Sequence, residues 1–176
     1  ITDKGQLQKA RIHPLSVLQA METYKSGQGL KGSGQWDVNP QIVDALDDAF
    51  YLSFDNIIPT GKRVMLSLDV SSSMTWEGCG GMPSVTPRVG SAAMAMVTMR
   101  TESDYLVTGF TSSGGGWNSS GISILDLSPK MRLDDVCDRL ENLDFGGTDC
   151  SLPMKYALKN NLKFDAFVVY TDSETW

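Results

Sequence analysis

Val64-Met65-Leu66-Ser67-Leu68-Asp69-Val70-Ser71-Ser72-Ser73 is the stretch on which the fold reading turns. Its first five residues are apolar but for one hydroxyl. The lack of strict alternation predicts a strand covered on both faces, as in parallel sheets flanked by helices. Asp69 then ends the strand, and Ser71 and Ser73 follow at alternate positions. A carboxylate and two hydroxyls leaving a strand end can converge on one hard cation, and magnesium favours near-octahedral oxygen coordination that keeps several waters. Asp and Ser at strand ends also serve as turn and capping groups, so the triplet alone leaves both roles open.

Working outward, Tyr105 to Phe110 reads as a second strand, and Ile122, Ile124 and Leu125 as part of a third. The Gly- and Ser-rich residues 111–121 between them are too short for a helical crossover, so these strands are predicted to pair antiparallel at the sheet edge. Between the first and second strands, Thr86 and Pro87 open a predicted helix with Val89, Ala92, Ala93 and Met96 on its inner face. Further helices are predicted at 132–142, with Leu133, Val136, Cys137 and Leu140 inward, and at 151–162, with Pro153 in the first turn. In the last strand, 165–171, Phe167-Val168-Val169-Tyr170 is apolar without alternation, which predicts a central place in the sheet. Residues 61–176 thus read as an α/β domain with a doubly wound, mostly parallel sheet. A central strand needs neighbours on both sides, so the domain is expected to be incomplete at its C-terminal end. The chain begins without Met and is expected to be a piece of something longer.

Pro59-Thr60-Gly61 marks a boundary, and residues 1–58 before it have a helical pattern. Val17, Ala20, Met21 and Tyr24 share one face of a helix at 13–26, and Gly27, Gly29, Gly32 and Gly34 then break the pattern. A second helix starts where Asn39 can cap and Pro40 can take the first position, with Ile42, Ala45, Leu46, Ala49 and Phe50 as its apolar face. Two amphipathic helices joined by a glycine-rich connection make one unit of a helical repeat, although no second copy is visible.

Hydrophobic residues at 41% and charged residues at 20% are ordinary for a globular protein, which excludes a disordered or fibrous class. No run approaches the roughly 18 apolar residues of a membrane span. Three cysteines with no short paired spacing argue against a zinc knuckle or a disulfide framework and fit a reducing, cytoplasmic compartment. A net charge of −6 argues against nucleic-acid binding over the whole surface. Residues 1–36, however, hold five basic residues against two acidic ones, and Lys4, Lys9 and Arg11 are the candidate phosphate contacts. A solvated helix face has the same charge pattern.

In open α/β sheets, ligands bind beyond the carboxyl ends of the strands. Asp69 ends the first strand, Asp172 ends the last, and Thr148 lies in the loop Gly146-Gly147-Thr148-Asp149. Asp69, Ser71, Ser73, Thr148 and Asp172 can therefore meet at one sheet edge. Three hydroxyls and two carboxylates, with no sulfur or imidazole, form a donor set for a hard divalent cation, magnesium first. The hydroxyls are expected to touch the metal and the carboxylates to act partly through water, leaving one position open. A hydrogen-bonded loop cluster without metal is the alternative for the same residues.

Catalysis is not expected. Aspartyl-phosphate chemistry often needs a second acidic residue two positions after the strand-end Asp, where this chain has Ser71. The only histidine, His13, precedes a proline in the helical segment and has no Ser or Cys nucleophile beside it. No Gly-x-x-x-x-Gly-Lys loop occurs, and Gly114-Gly115-Gly116 is followed by Trp117-Asn118, a flexible turn.

The five-residue constellation resembles the metal-ion-dependent adhesion site of von Willebrand factor A domains, in order and in structural context. A wider resemblance spans nearly the whole chain. His13-Pro14-Leu15-Ser16-Val17-Leu18, Met21-Glu22-Thr23-Tyr24, Gly27, Gly29, Trp36, Pro59-Thr60-Gly61-Lys62-Arg63, Gly146 to Met154 and Thr171-Asp172-Ser173-Glu174-Thr175 are similar to the Ro ribonucleoprotein family. That resemblance implies a ring of helical repeats closed by a von Willebrand A domain. It also implies binding of small noncoding Y RNAs outside the ring and of misfolded RNA ends within it, as RNA quality control. Residues 1–58 would be the last helical repeat and 61–176 the closing domain, truncated. A metal-dependent, adhesion-type module completed by a partner's acidic side chain is the competing expectation.

Overall fold

The computed structural model describes residues 2–76, 78–112, 120–141, 143 and 147–172. Of the motifs above, Gly114-Gly115-Gly116-Trp117-Asn118, Gly146 and Ser173-Glu174-Thr175 lie outside the described residues. The chain divides into two compact units, residues 1–58 with 77–86, and residues 59–76 with 87–176.

In the first unit, α1 (Lys4–Ala10) begins where the Asp3 side chain accepts from the Gln6 amide and ends at Arg11, which takes a left-handed φ of 49°. In α2 (Pro14–Lys25), His13 Nδ1 accepts from the Leu15 amide at 3.2 Å, so the histidine is a helix cap. In α3 (Pro40–Leu52), Asn39 caps as expected and Pro40 takes the first turn. The buried stripe of α2 is Pro14, Val17, Leu18 and Met21, and it packs on α3. Ala20, expected on that face, is exposed instead. Leu18 lies two residues, about 200° of helix, from Ala20, so burying the larger side chain turns Ala20 outward. Phe50, Tyr51 and Phe54 form an aromatic cluster, and the Trp36 ring stacks on Tyr24 with centroids 5.9 Å apart. Asn56 donates to the carbonyl of Ile12 at 2.9 Å, tying the 3-10 turn after α3 (Ser53–Asn56) to the α1–α2 link.

The second unit is built on β1 (Val64–Asp69), every residue of which is buried. It pairs in parallel with β2 (Tyr105–Phe110) and with β4 (Ala166–Tyr170), while β3 (Ile122–Ile124) runs antiparallel to β2. Among the described residues the strand order is β3-β2-β1-β4. Helices α4 (Pro87–Thr101), α5 (Leu133–Glu141) and α6 (Leu152–Lys159) complete the unit. The one polar side chain in the run Val64–Leu68, Ser67, shares a buried hydroxyl–hydroxyl bond of 2.9 Å with Thr108, its register partner on β2. Met65, Phe110, Ile122, Leu152 and Ala157 form a core cluster beneath α6. Glu102, at the end of α4, accepts from the Thr60 amide, the Thr60 hydroxyl and the Gly61 amide at 2.6, 2.8 and 3.0 Å. It thereby fixes the chain just before β1.

Among the described residues β4 pairs with β1 alone, and its Ala166 and Phe167 are exposed; the neighbour expected on its other side is not among them. One expectation of helix length is corrected. The last helix stops at Lys159 instead of continuing to 162. Asn161 turns left-handed with φ 52°, and the Leu162 amide bonds back to the Ala157 carbonyl at 2.9 Å, a Schellman closure.

Candidate metal centre

Asp69 sits at the C-terminal end of the central strand, 2% exposed, and both of its oxygens are engaged. Oδ1 accepts from the Ser71 amide at 2.8 Å, which folds the chain back over the strand end. Oδ2 accepts from the Thr148 hydroxyl at 3.2 Å and from the Thr171 hydroxyl at 3.0 Å. The Ser71 and Ser73 hydroxyls lie 3.2 Å apart. Residues from the ends of β1 and β4 and from the loop before α6 thus gather around one carboxylate.

Neighbouring backbone holds this arrangement. The Val70 amide donates to the Phe110 carbonyl at 3.1 Å, extending the β1–β2 ladder past Asp69. The Asp149 amide donates to the Thr111 carbonyl at 2.9 Å, which anchors Thr148 to the end of β2. The Asp149 carboxylate in turn accepts from the Ser151 amide and hydroxyl and meets Lys155 Nζ at 3.2 Å. The Ser151 hydroxyl above all holds the Asp149 carboxyl below the usual carboxylate range. Behind the loop, the buried Arg88 side chain donates through Nη2 to the carbonyls of Val70 and Ser71, at 3.2 and 3.1 Å.

Of the five residues named from sequence, Asp69, Ser71, Ser73 and Thr148 are linked by these bonds. Asp172, half-buried, directly follows Thr171, whose hydroxyl is on Asp69. Thr171 and Arg88 are the residues that reading the sequence missed. The signal for Thr171 was its place as the first residue past β4, beside Asp172; nothing in the sequence marks Arg88 as buried. The donor chemistry fits a hard cation: every candidate ligand atom is oxygen. Among the described residues no three His, Cys, Asp or Glu side chains cluster as a metal cage, so any cation held here depends on hydroxyls.

The three basic candidates lie in and just after α1, all exposed. Lys4 is 2.6 Å from the Asp55 carboxylate, Lys9 is in the last helical turn, and Arg11 closes the helix. They share one short element but not one bonded cluster.

This sheet order, with hydroxyls gathered around the Asp69 carboxylate at the carboxyl end of its central strand, defines a von Willebrand A-type domain. Residues 63–176 match the Ro60 vWA domain, and the chain belongs to that family. It is 42% identical over all 176 residues to the RNA-binding protein RO60 of Deinococcus radiodurans, and covers 32% of that relative. It is 40% identical over the same length to the RNA-binding protein RO60 of Caenorhabditis elegans, covering 26% of it. The crystal structure of the Deinococcus radiodurans RO (RSR) protein superposes with a TM-score of 0.87 at 42% identity, over 99% of this chain and 34% of that one. The chain therefore spans about a third or less of the length of these relatives.

Proposed function

We propose that this chain is part of a non-enzymatic, cytoplasmic RNA-binding protein that takes small noncoding Y RNAs and misfolded RNA ends in RNA quality control. In this reading residues 1–58 are the last helical repeat of the RNA-binding module. The von Willebrand A domain holds a divalent cation, magnesium first, through Asp69, Ser71, Ser73, Thr148 and Asp172. The observation that carries the reading is similarity to two proteins named RNA-binding protein RO60 that runs through both units, not the von Willebrand A domain alone. Among the described residues no helix is long and apolar enough to cross a membrane, in keeping with a reading that needs none.

The cation would supply a fixed positive charge with at least one position open to an oxygen ligand. The residues of the chain orient it: Asp69 is held by three donors, and the Ser71 and Ser73 hydroxyls face each other beside it. The hydroxyl-rich donor set also favours a second reading, in which an acidic side chain of a protein partner completes the coordination.

The test is RNA affinity of the full-length parent, measured against salt and against chelator. Phosphate-driven binding weakens steeply with salt and survives chelation. Reversing Lys9 or Arg11 to Glu would lower the salt slope by about 1 for each phosphate no longer neutralised. RNA affinity that ignores salt and disappears with EDTA would overturn this assignment. Chelator-sensitive capture of an acidic peptide would support the second reading.

A further inference from the structure

Arg88 lies in the first turn of α4 with 2% of its surface exposed, an unusual place for a guanidinium. Its Nη2 group donates to two successive carbonyls, Val70 at 3.2 Å and Ser71 at 3.1 Å. These are the carbonyls of the two residues that directly follow Asp69. Residue 71 is consequently held at both ends: its amide donates to Asp69 Oδ1 at 2.8 Å, and its carbonyl accepts from Arg88. The Ser71 hydroxyl, 3.2 Å from that of Ser73, projects from a backbone that cannot rotate without breaking one of these bonds.

Burying a guanidinium is costly, and a neutral donor could satisfy two carbonyls. What arginine adds is a long side chain ending in a rigid planar Nη2 group, which here donates to both carbonyls, and a permanent charge. These two contributions act on a bound cation in opposite directions. The planar donor favours binding by fixing the backbone that carries the hydroxyls, whereas the charge opposes it by repulsion.

We propose that Arg88 is a positioning residue for the cation site, holding the Val70 and Ser71 carbonyls so that the Ser71 and Ser73 hydroxyls are presented together, without touching the cation itself. The inference rests on the reading of Asp69, Ser71, Ser73, Thr148 and Asp172 as a cation site. It goes beyond that reading by giving the site a support on a different element, α4.

The experiment is calorimetric titration of the whole chain with Mn²⁺ and Mg²⁺, alongside melting with and without cation. R88K keeps the charge and loses the planar Nη2 donor; it should raise Kd about 10- to 100-fold, the usual cost of removing an outer support of a metal ligand. R88Q loses the charge and keeps a single neutral donor; it should also bind more weakly, and it serves alone if R88K does not fold. S67A, destabilised within the same sheet but away from the site, controls for general loosening and should keep the wild-type Kd. An R88K protein with unchanged Kd, or an R88Q protein that binds more tightly, would show that Arg88 acts only through charge or only on the fold, and the proposal falls. If the wild-type chain shows neither heat nor a melting shift, it is the cation reading itself that fails.

Discussion

The hydroxyl of Thr171 donates to Asp69 Oδ2 at 3.0 Å, joining the first residue beyond β4 to the last residue of β1. The two strands are already paired through their backbones, so this bond acts on the loops above them and not on the sheet. It also fills one of the positions on a buried carboxylate that would otherwise need solvent. Thr171→Val keeps the side-chain volume and removes the donor. It should cost about 1.5–3 kcal/mol, the usual range for a hydrogen bond to a charged group. Urea unfolding should show this as a lower midpoint at unchanged slope. An unchanged midpoint would mean that the bond contributes nothing to stability.

Ser71→Ala should separate ligand loss from fold loss. Among the described residues the hydroxyl bonds with Ser73 alone, at 3.2 Å, and the Ser71 amide and carbonyl bonds are made by backbone groups that the substitution leaves in place. Cation affinity should fall by at least about tenfold, since outer supports alone are worth that much at metal sites. The melting temperature without cation should stay near that of the unsubstituted protein. Equal titration curves for the two proteins would count against direct coordination by this hydroxyl.

Glu102 predicts an acid limb. Its three hydrogen bonds, the Thr60 amide bond foremost, hold the carboxyl below its ordinary value. A depressed carboxyl contributes stability that is complete above the unfolded-state value of about 4.3 and is lost as pH falls through the folded one. Melting temperatures should therefore drop below about pH 4.3 more steeply in the unsubstituted protein than in Glu102→Gln, which should be less stable at neutral pH. Parallel curves for the two proteins from pH 7 to pH 3 would refute this role.

Cys137 should be slow to alkylate. Burial foremost pushes its thiol up to about 12, leaving roughly one molecule in ten thousand as thiolate at pH 8. Iodoacetamide should leave Cys137 unmodified in the native protein and modify it readily in urea, with mass spectrometry of the peptide as the readout. Rapid native labelling would show that α5 opens locally far more often than its buried face suggests.

The parts of the fold legible in the sequence were those where one physical constraint acts alone. The run Val64 to Leu68 has to be buried on both faces, and β1 is the central strand with every residue covered. Asn39-Pro40 and His13-Pro14 carry their helix starts in local chemistry, and both are used as caps. By contrast, α1 has only Leu7 buried and no apolar periodicity to reveal it; an Asp3 cap and tertiary contacts make the helix.

At the candidate site, Asp69, Ser71, Ser73 and Thr148 were readable because spacing and strand ends together bring them to one place. Thr171 was overlooked because a single hydroxyl after a strand carries no pattern of its own. Arg88 was not readable at all. An arginine in a helix is ordinarily a surface residue, and only the tertiary structure shows this one buried against the carbonyls of Val70 and Ser71.

Residues 77–86 leave the second unit between Trp76 and Pro87 and belong to the first, which includes the 3.3 Å approach of the Ser84 hydroxyl to that of Thr23. The chain passes between its units three times, so no single scission separates them. Cleavage after the exposed Ile58 would strand ten residues of the first unit on the fragment carrying the second. Dissection by truncation therefore reports on an interrupted unit, and a gene fragment starting at Pro59 encodes the second unit together with residues 77–86, which lie inside the 63–176 family match yet belong to the first unit.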